Sequence, residues 1–193
     1  MNYLAHLYLS DRTDDGFAGS LLGDFVSGSV AGRFGAAVES EILMHRRIDA
    51  FTDAHPVVKR SKARISGNLR KYAGVLVDVF YDHFLAVDFE KYSDVALADF
   101  SKNVYRALVH HQKLFPEAFQ RRILAIAEFD LLGSYASLDG IATALVRISG
   151  RIRRRNELAE GIADLKNNYA ELRADFAEFF PELVEFVQRE RGN

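Results

Sequence analysis

Prolines stand at only three of 193 positions, 56, 116 and 181, so the chain carries little of the punctuation that divides a backbone into short strands and turns. Between them, apolar residues recur at three- and four-residue steps rather than in strict alternation, the pattern of amphipathic helices. We therefore expect an all-α protein, a single-domain helical bundle over residues 1–193. At 49% hydrophobic residues, that length suffices for one sizeable core. Predicted helices span about 4–9, 17–26, 36–54, 57–70, 75–87, 95–114, 116–131 and 138–147, with a long C-terminal segment from 156. Pro56 closes the helix before it, because the residue preceding a proline is pushed out of the α region, and Pro116 suits a first helical turn. The stretch SVAGRFG is the clearest loop. The segment GVLVDVFYD also suits a buried strand by composition. Its apolar character, however, runs on to Phe89, too far for an average strand, and favours a helix.

Cysteine is absent, which excludes disulfides and thiolate metal sites, so any bound metal must rest on His, Asp or Glu. The N-terminal stretch has no basic region and too short an apolar run for a signal peptide or membrane span. A cytoplasmic protein with no membrane partner is expected. The net charge of −2 argues against a general nucleic-acid binder, yet it hides a strong polarity. Lys59 to Lys71 holds six bases and no acid, and Arg147 to Arg155 holds five arginines and no acid. Glu157 to Glu190 instead sets nine acids against three bases.

Some polar groups sit where apolar ones are expected. On a helix, Asp78 and Asp82 share a face among Val75, Leu76, Val79, Phe80, Phe84 and Val87, with His83 beside them. An unpaired carboxylate in such a stripe is costly, so it must be paired, must cap a helix or must bind metal. A second stretch, MHRRIDAFTDAHP, sets His45, Asp49 and Asp53 at four-residue steps beside Met44, Ile48 and Phe51. His6 and Asp24 lie in apolar surroundings nearer the N-terminus. Each is ordinary alone, as a core histidine and a helix cap. Imidazole plus carboxylate without thiolate is the ligand set of hydrolytic Mg, Mn, Fe or Zn sites.

Taken together, MNYLAHLYLS, GSLLGDFV, HRRIDAFTDAHP and YDHFLA, in this order and spacing, resemble the acyl carrier protein phosphodiesterase family over essentially the whole chain. The resemblance implies a distorted HD-phosphohydrolase-like fold and a divalent metal, typically Mn2+, with Mg2+ or Fe2+ as alternatives. It implies hydrolysis of the phosphodiester joining 4'-phosphopantetheine to a serine of holo-acyl carrier protein. The HD pattern is altered, since the adjacent pair is reversed as Asp82–His83, and Ser20 stands where an asparagine is expected.

On this basis Asp24, His45, Asp49, Asp82 and His83 form the expected metal set, more names than one ion needs. His6, Asp24 and His83 are the catalytic candidates, with His6 or His83 protonating the leaving serine. Arg46 and Arg47 are expected to clamp the phosphate. Arg147, Arg151 and Arg154 are expected to dock the acidic carrier, at helical spacing if the helix survives Gly150. The rival readings are an HD-type hydrolase of a nucleotide and a non-enzymatic helical module that grips an acidic partner.

Overall fold

A computed structural model of the protein describes residues 1–192, and among them eleven α-helices and no β-strand. The N-terminal layer is α1 (Tyr3–Leu9), α2 (Asp14–Leu22) and α3 (Ala36–Ala54). After Pro56, at the first position of its helix, come α4 (Pro56–Ala63), a 3₁₀ turn (Gly67–Tyr72) and α5 (Ala73–Val87). The chain continues through α6 (Leu97–His110), α7 (Glu117–Glu128), α8 (Leu131–Ser134) and α9 (Leu138–Ser149). It ends in α10 (Ile162–Asn167) and α11 (Tyr169–Glu190).

The helix α5 is the centre of the molecule, with α1, α4, α9 and α11 around it. Leu76, Val77, Phe80, Tyr81, Phe84 and Leu85 are fully buried, and each large side chain removed from water contributes roughly 1.5–3 kcal/mol. Helices on all sides reward burial around the whole circumference, which outweighs the strand preference of its valines. Buried apolar residues from Met1 to Val187 form one continuous cluster.

Where the structure departs from the predicted boundaries, local chemistry explains the break. The helix expected over residues 57–70 stops at Ala63, and the Asp164 carboxylate then receives both the amide and the hydroxyl of Ser66 (3.1 and 2.8 Å). The helix expected over 116–131 ends at Glu128, and Asp130 takes a left-handed conformation (φ 41°) while its side chain caps α8. The expected loop after α2 is present, with Gly28 and Gly32 at φ 73° and 74°, where L-residues are disfavoured.

The α2–α3 seam places the functional residues. Gly19 and Gly23 face α3, and a Cβ on Gly19 would lie 2.6 Å from the Val38 carbonyl oxygen. A Cβ on Gly23 would lie 2.2 Å from the ring of His45. The missing side chains let the helices approach closely enough for His45 to tuck beneath the end of α2.

Candidate metal centre

Three helices meet here. His6 comes from α1, His45 and Asp49 from successive turns of α3, and Asp24 from just beyond α2. The Nε2 atoms of both histidines converge on Asp49: His6 lies 3.0 Å from Oδ1 and His45 lies 3.2 Å from Oδ2. Asp24 approaches His45 Nε2 at 3.6 Å. The two imidazoles are stacked, centroids 3.7 Å apart and planes at 14°. Both rings are buried, whereas Asp24 and Asp49 are each 43% exposed, so the cluster opens on its carboxylate side. The Met1 amino group lies 3.3 Å from both Asp49 and Asp78.

Only one of two stacked imidazoles readily carries a proton. Burial lowers the pKa of His6 to about 4, only partly opposed by its bond to Asp49. Burial also acts against charged His45, but hydrogen bonding to Asp24 and Asp49 outweighs it and raises the value to about 9. Burial alone would raise Asp49, yet its bonds to the two histidines hold it well below the usual carboxylate range.

This donor set fits a divalent cation. Among the described residues, His6, His45 and Asp49 form the one group of three His, Asp or Glu side chains whose ligand atoms all lie within 4.8 Å of one another. Two imidazoles and a carboxylate, with Asp24 adjacent, suit Mn, Fe or Zn. Both Nδ1 atoms are buried without a partner, so each ring presents its interactions through the converging Nε2 edge.

The other expected ligands are held elsewhere. Asp82 is fully buried, and its two oxygens accept the amides of Leu4 (2.7 Å) and Ala5 (3.0 Å) at the start of α1. Burial pushes it up to about 7, with those two bonds holding it back. It caps α1, whose own N-cap residue Asn2 provides no side-chain cap. His83 points another way: Nδ1 lies 2.7 Å from the Tyr135 carbonyl and Nε2 3.0 Å from the Tyr169 hydroxyl. A carbonyl only accepts, so Nδ1 carries the proton and Nε2 accepts from Tyr169. His83 thus ties α5 to the α8–α9 connection and to α11, and is withdrawn from the ligand and acid roles.

The expected phosphate clamp is likewise corrected. Arg46 donates to the carbonyls of Gly28 and Val26 (2.8 and 2.7 Å), fixing the loop behind Asp24, and Arg47 pairs with Glu190 at 2.8 Å. The helix of the basic turn does not survive Gly150, since α9 ends at Ser149. Arg147 and Arg151 nevertheless line one cavity, and Arg154 is exposed beyond them.

Of the residues that support the cluster, Ser20 was singled out from the sequence, and Gly23 and Tyr3 were not. Gly23 makes room for His45, and Ser20 donates to the His6 carbonyl at 2.9 Å, fixing α1 on α2. Tyr3 is one turn from His6. Burial raises its phenol, as does the charge of Asp24, against the fields of Arg151 and Arg122. For Gly23 the sequence signal was the dipeptide Gly23–Asp24, a glycine beside a candidate ligand.

The family described as acyl carrier protein phosphodiesterase matches residues 1–183. The chain belongs to this family. A protein of Serratia proteamaculans named acyl carrier protein phosphodiesterase is 36% identical over 186 residues, covering 96% of each chain. Proteins of the same name from Yersinia enterocolitica and Photorhabdus laumondii are each 33% identical, covering 97% and 96% of this chain. No solved structure matches. Membership of the acyl carrier protein phosphodiesterase family spans all the residues of the cluster, from His6 to Asp49. Among the described residues, no helix is long and apolar enough to cross a membrane.

Proposed function

We propose that this protein is a metal-dependent phosphodiesterase that hydrolyses 4'-phosphopantetheine from holo-acyl carrier protein in the cytoplasm, leaving apo-carrier protein. The observation that carries this reading is the convergence of His6, His45, Asp49 and Asp24 in a chain whose relatives bear that name over nearly their whole length.

His6, His45 and Asp49, with Asp24 beside them, would hold the metal, Mn2+ in first place. Bound there, it supplies a water of lowered pKa and neutralises charge on the phosphoryl oxygens. His6 is neutral at pH 7 because burial holds it near 4, which suits a ligand and not the acid that protonates the leaving serine. Asp49 spans both imidazoles and orients them. Asp24, exposed at the mouth, faces the incoming phosphodiester, takes the proton of the attacking water and passes it to the departing serine oxygen. Asp82 acts through α1, fixing the turn that carries His6. Of the arginines expected to dock the acidic carrier, Arg154 belongs to the exposed edge that meets it, while Arg147 and Arg151 line the cavity behind.

The test is incubation of the purified protein with holo-carrier protein and Mn2+, followed by intact mass. Loss of the phosphopantetheine mass from the carrier is the expected result. An unchanged carrier together with turnover of a free nucleotide would assign the centre to nucleotide hydrolysis. An inert protein that binds no metal would make it a binding module.

A further inference from the structure

Beside the centre lies a cavity of about 440 Å³ lined by Ala125, Ile126, Phe129 and Leu131 and by three arginines, Arg122, Arg147 and Arg151. Its walls are α7 with the residues just after it, and the end of α9 with the turn that follows. None of the three guanidinium groups takes part in an ion pair among the described residues, whereas Arg60, Arg64, Arg173 and Arg191 all do. An unpaired triplet of arginines around an apolar floor is complementary to an anion attached to a largely uncharged chain. Phe129, 62% exposed, adds an aromatic face that nothing in the fold covers.

Two sets of neighbours lie between this cavity and the candidate metal centre. On one side, Tyr3 lies one turn from His6 on α1, and its hydroxyl stands in the fields of Asp24, Arg151 and Arg122. On the other, Phe25 follows Asp24 directly and packs on Phe119 of α7, ring centroids 4.4 Å apart. Phe119, Arg122 and Ile126 share a face of α7 by their three- and four-residue spacing. These neighbours place the cavity on the Asp24 side of the cluster, with Tyr3 and Phe25 between the two.

We propose that this cavity receives the prosthetic arm of the carrier protein, with Arg122 and Arg151 gripping the phosphoryl group at its inner end and Ile126, Phe129 and Leu131 holding the uncharged arm. This deepens, and rests on, the function proposed above. Volume decides in favour of the arm over a protein helix, because about 440 Å³ falls within the 300–1,000 Å³ typical of small-molecule sites. Charge decides for the phosphorylated end, because the arm carries its negative charge there alone. The role expected of Arg46 and Arg47 passes to arginines that are free to perform it.

The probe is free 4'-phosphopantetheine, its affinity measured by calorimetry on metal-loaded and metal-free protein. Arg122→Gln and Arg151→Gln should each weaken binding at least about tenfold, the equivalent of losing one hydrogen bond to a charged group. Phe129→Ser should weaken it several-fold while leaving the affinity for inorganic phosphate unchanged. The control, Arg70→Gln, removes an exposed arginine outside the cavity and should change nothing. Equal affinity in all variants overturns the proposal, as does equal loss in the control. So does a result in which holo-carrier turnover falls in the arginine variants while free 4'-phosphopantetheine binds them undiminished, since the cavity would then meet the carrier's surface. Wild-type protein that leaves holo-carrier protein intact would instead overturn the proposed function, a separate outcome visible in the mass of the carrier.

Discussion

At the residue scale, the pairing of His6 and His45 on one carboxylate would make the proposed metal binding a proton exchange. In the metal-free protein His45, raised to about 9, holds a proton between Asp24 and Asp49 at neutral pH. Its contribution to stability is full below 6.5 and is lost as pH rises through about 9. His6 works in the opposite direction, for its folded pKa of about 4 lies below the unfolded value. Stability is lost as pH falls from 6.5 toward 4, because only the unfolded state gains that proton freely. A divalent cation needs the His45 lone pair and must expel its proton. Calorimetry of Mn2+ binding at pH 7.5 in buffers of different ionisation enthalpy should therefore show about one proton released, and affinity should rise with pH until about 9. The variant His45→Gln should abolish the release. No proton release in the wild type would show that His45 is not a ligand.

The same scale explains which site residues were legible in the sequence. His45 and Asp49 lie four apart on one helix and necessarily share a face, so their spacing announced them. Asp82 and His83 are adjacent, and successive helical residues point about 100° apart. One therefore faces the amides of α1 and the other faces Tyr135 and Tyr169. A short sequence separation was misleading because helices turn neighbouring side chains apart. Tyr3 and Arg122 gave no signal, since their meeting depends on how α1, α7 and α9 pack.

At the scale of elements, Asp82 belongs to the architecture of α1. A seven-residue helix has few internal hydrogen bonds, and α1 gains its anchor from a carboxylate on α5 that satisfies two amides of its first turn. Truncating Asp82 to alanine leaves those buried donors unpaired, at a cost of roughly 1–3 kcal/mol each. With about 2–4 °C of melting temperature per kcal/mol for a chain of this size, Asp82→Ala should melt about 4–24 °C lower. It should still bind one metal per chain, because the proposed ligands are His6, His45 and Asp49. Loss of metal with an unchanged melting curve would return Asp82 to the ligand set. The all-α architecture was readable from periodicity, and α3 appears over the predicted span, 36–54. The end of α9 at Ser149 lies close to the predicted 147, but the breaks at Ala63 and Asp130 were not readable. Each depends on a capping group or a turn conformation that periodicity does not encode.

At the scale of the whole molecule, the charge blocks of the sequence meet different fates. The acidic C-terminal stretch is largely used inside the protein: Asp175 pairs with Arg60 and Arg64, Glu178 with Arg60, Glu182 with His55, and Glu190 with Arg47. Two of the six bases from Lys59 to Lys71, Arg60 and Arg64, are thereby neutralised where α4 packs on α11. The arginines from 147 to 155 have no ion-pair counterpart among the described residues, and after α9 they project from an exposed turn. Their field extends into solvent, but it is screened over about 8 Å at physiological ionic strength. A field of that range would guide the approach of an acidic carrier and have little hold on a small ligand already in the cavity. Arg153 and Arg154 do not line the cavity, which separates steering from gripping. The double variant Arg153→Glu/Arg154→Glu should lower kcat/KM on holo-carrier protein about tenfold at low salt, with kcat nearly unchanged. The deficit should shrink as salt is raised, because screening removes from the wild type the attraction that the variant has already lost. Affinity for free 4'-phosphopantetheine should stay within twofold. A salt-independent loss, or an equal loss for the free arm, would place these arginines in contact with the arm itself, and no loss at all would make the turn an ordinary solvated surface.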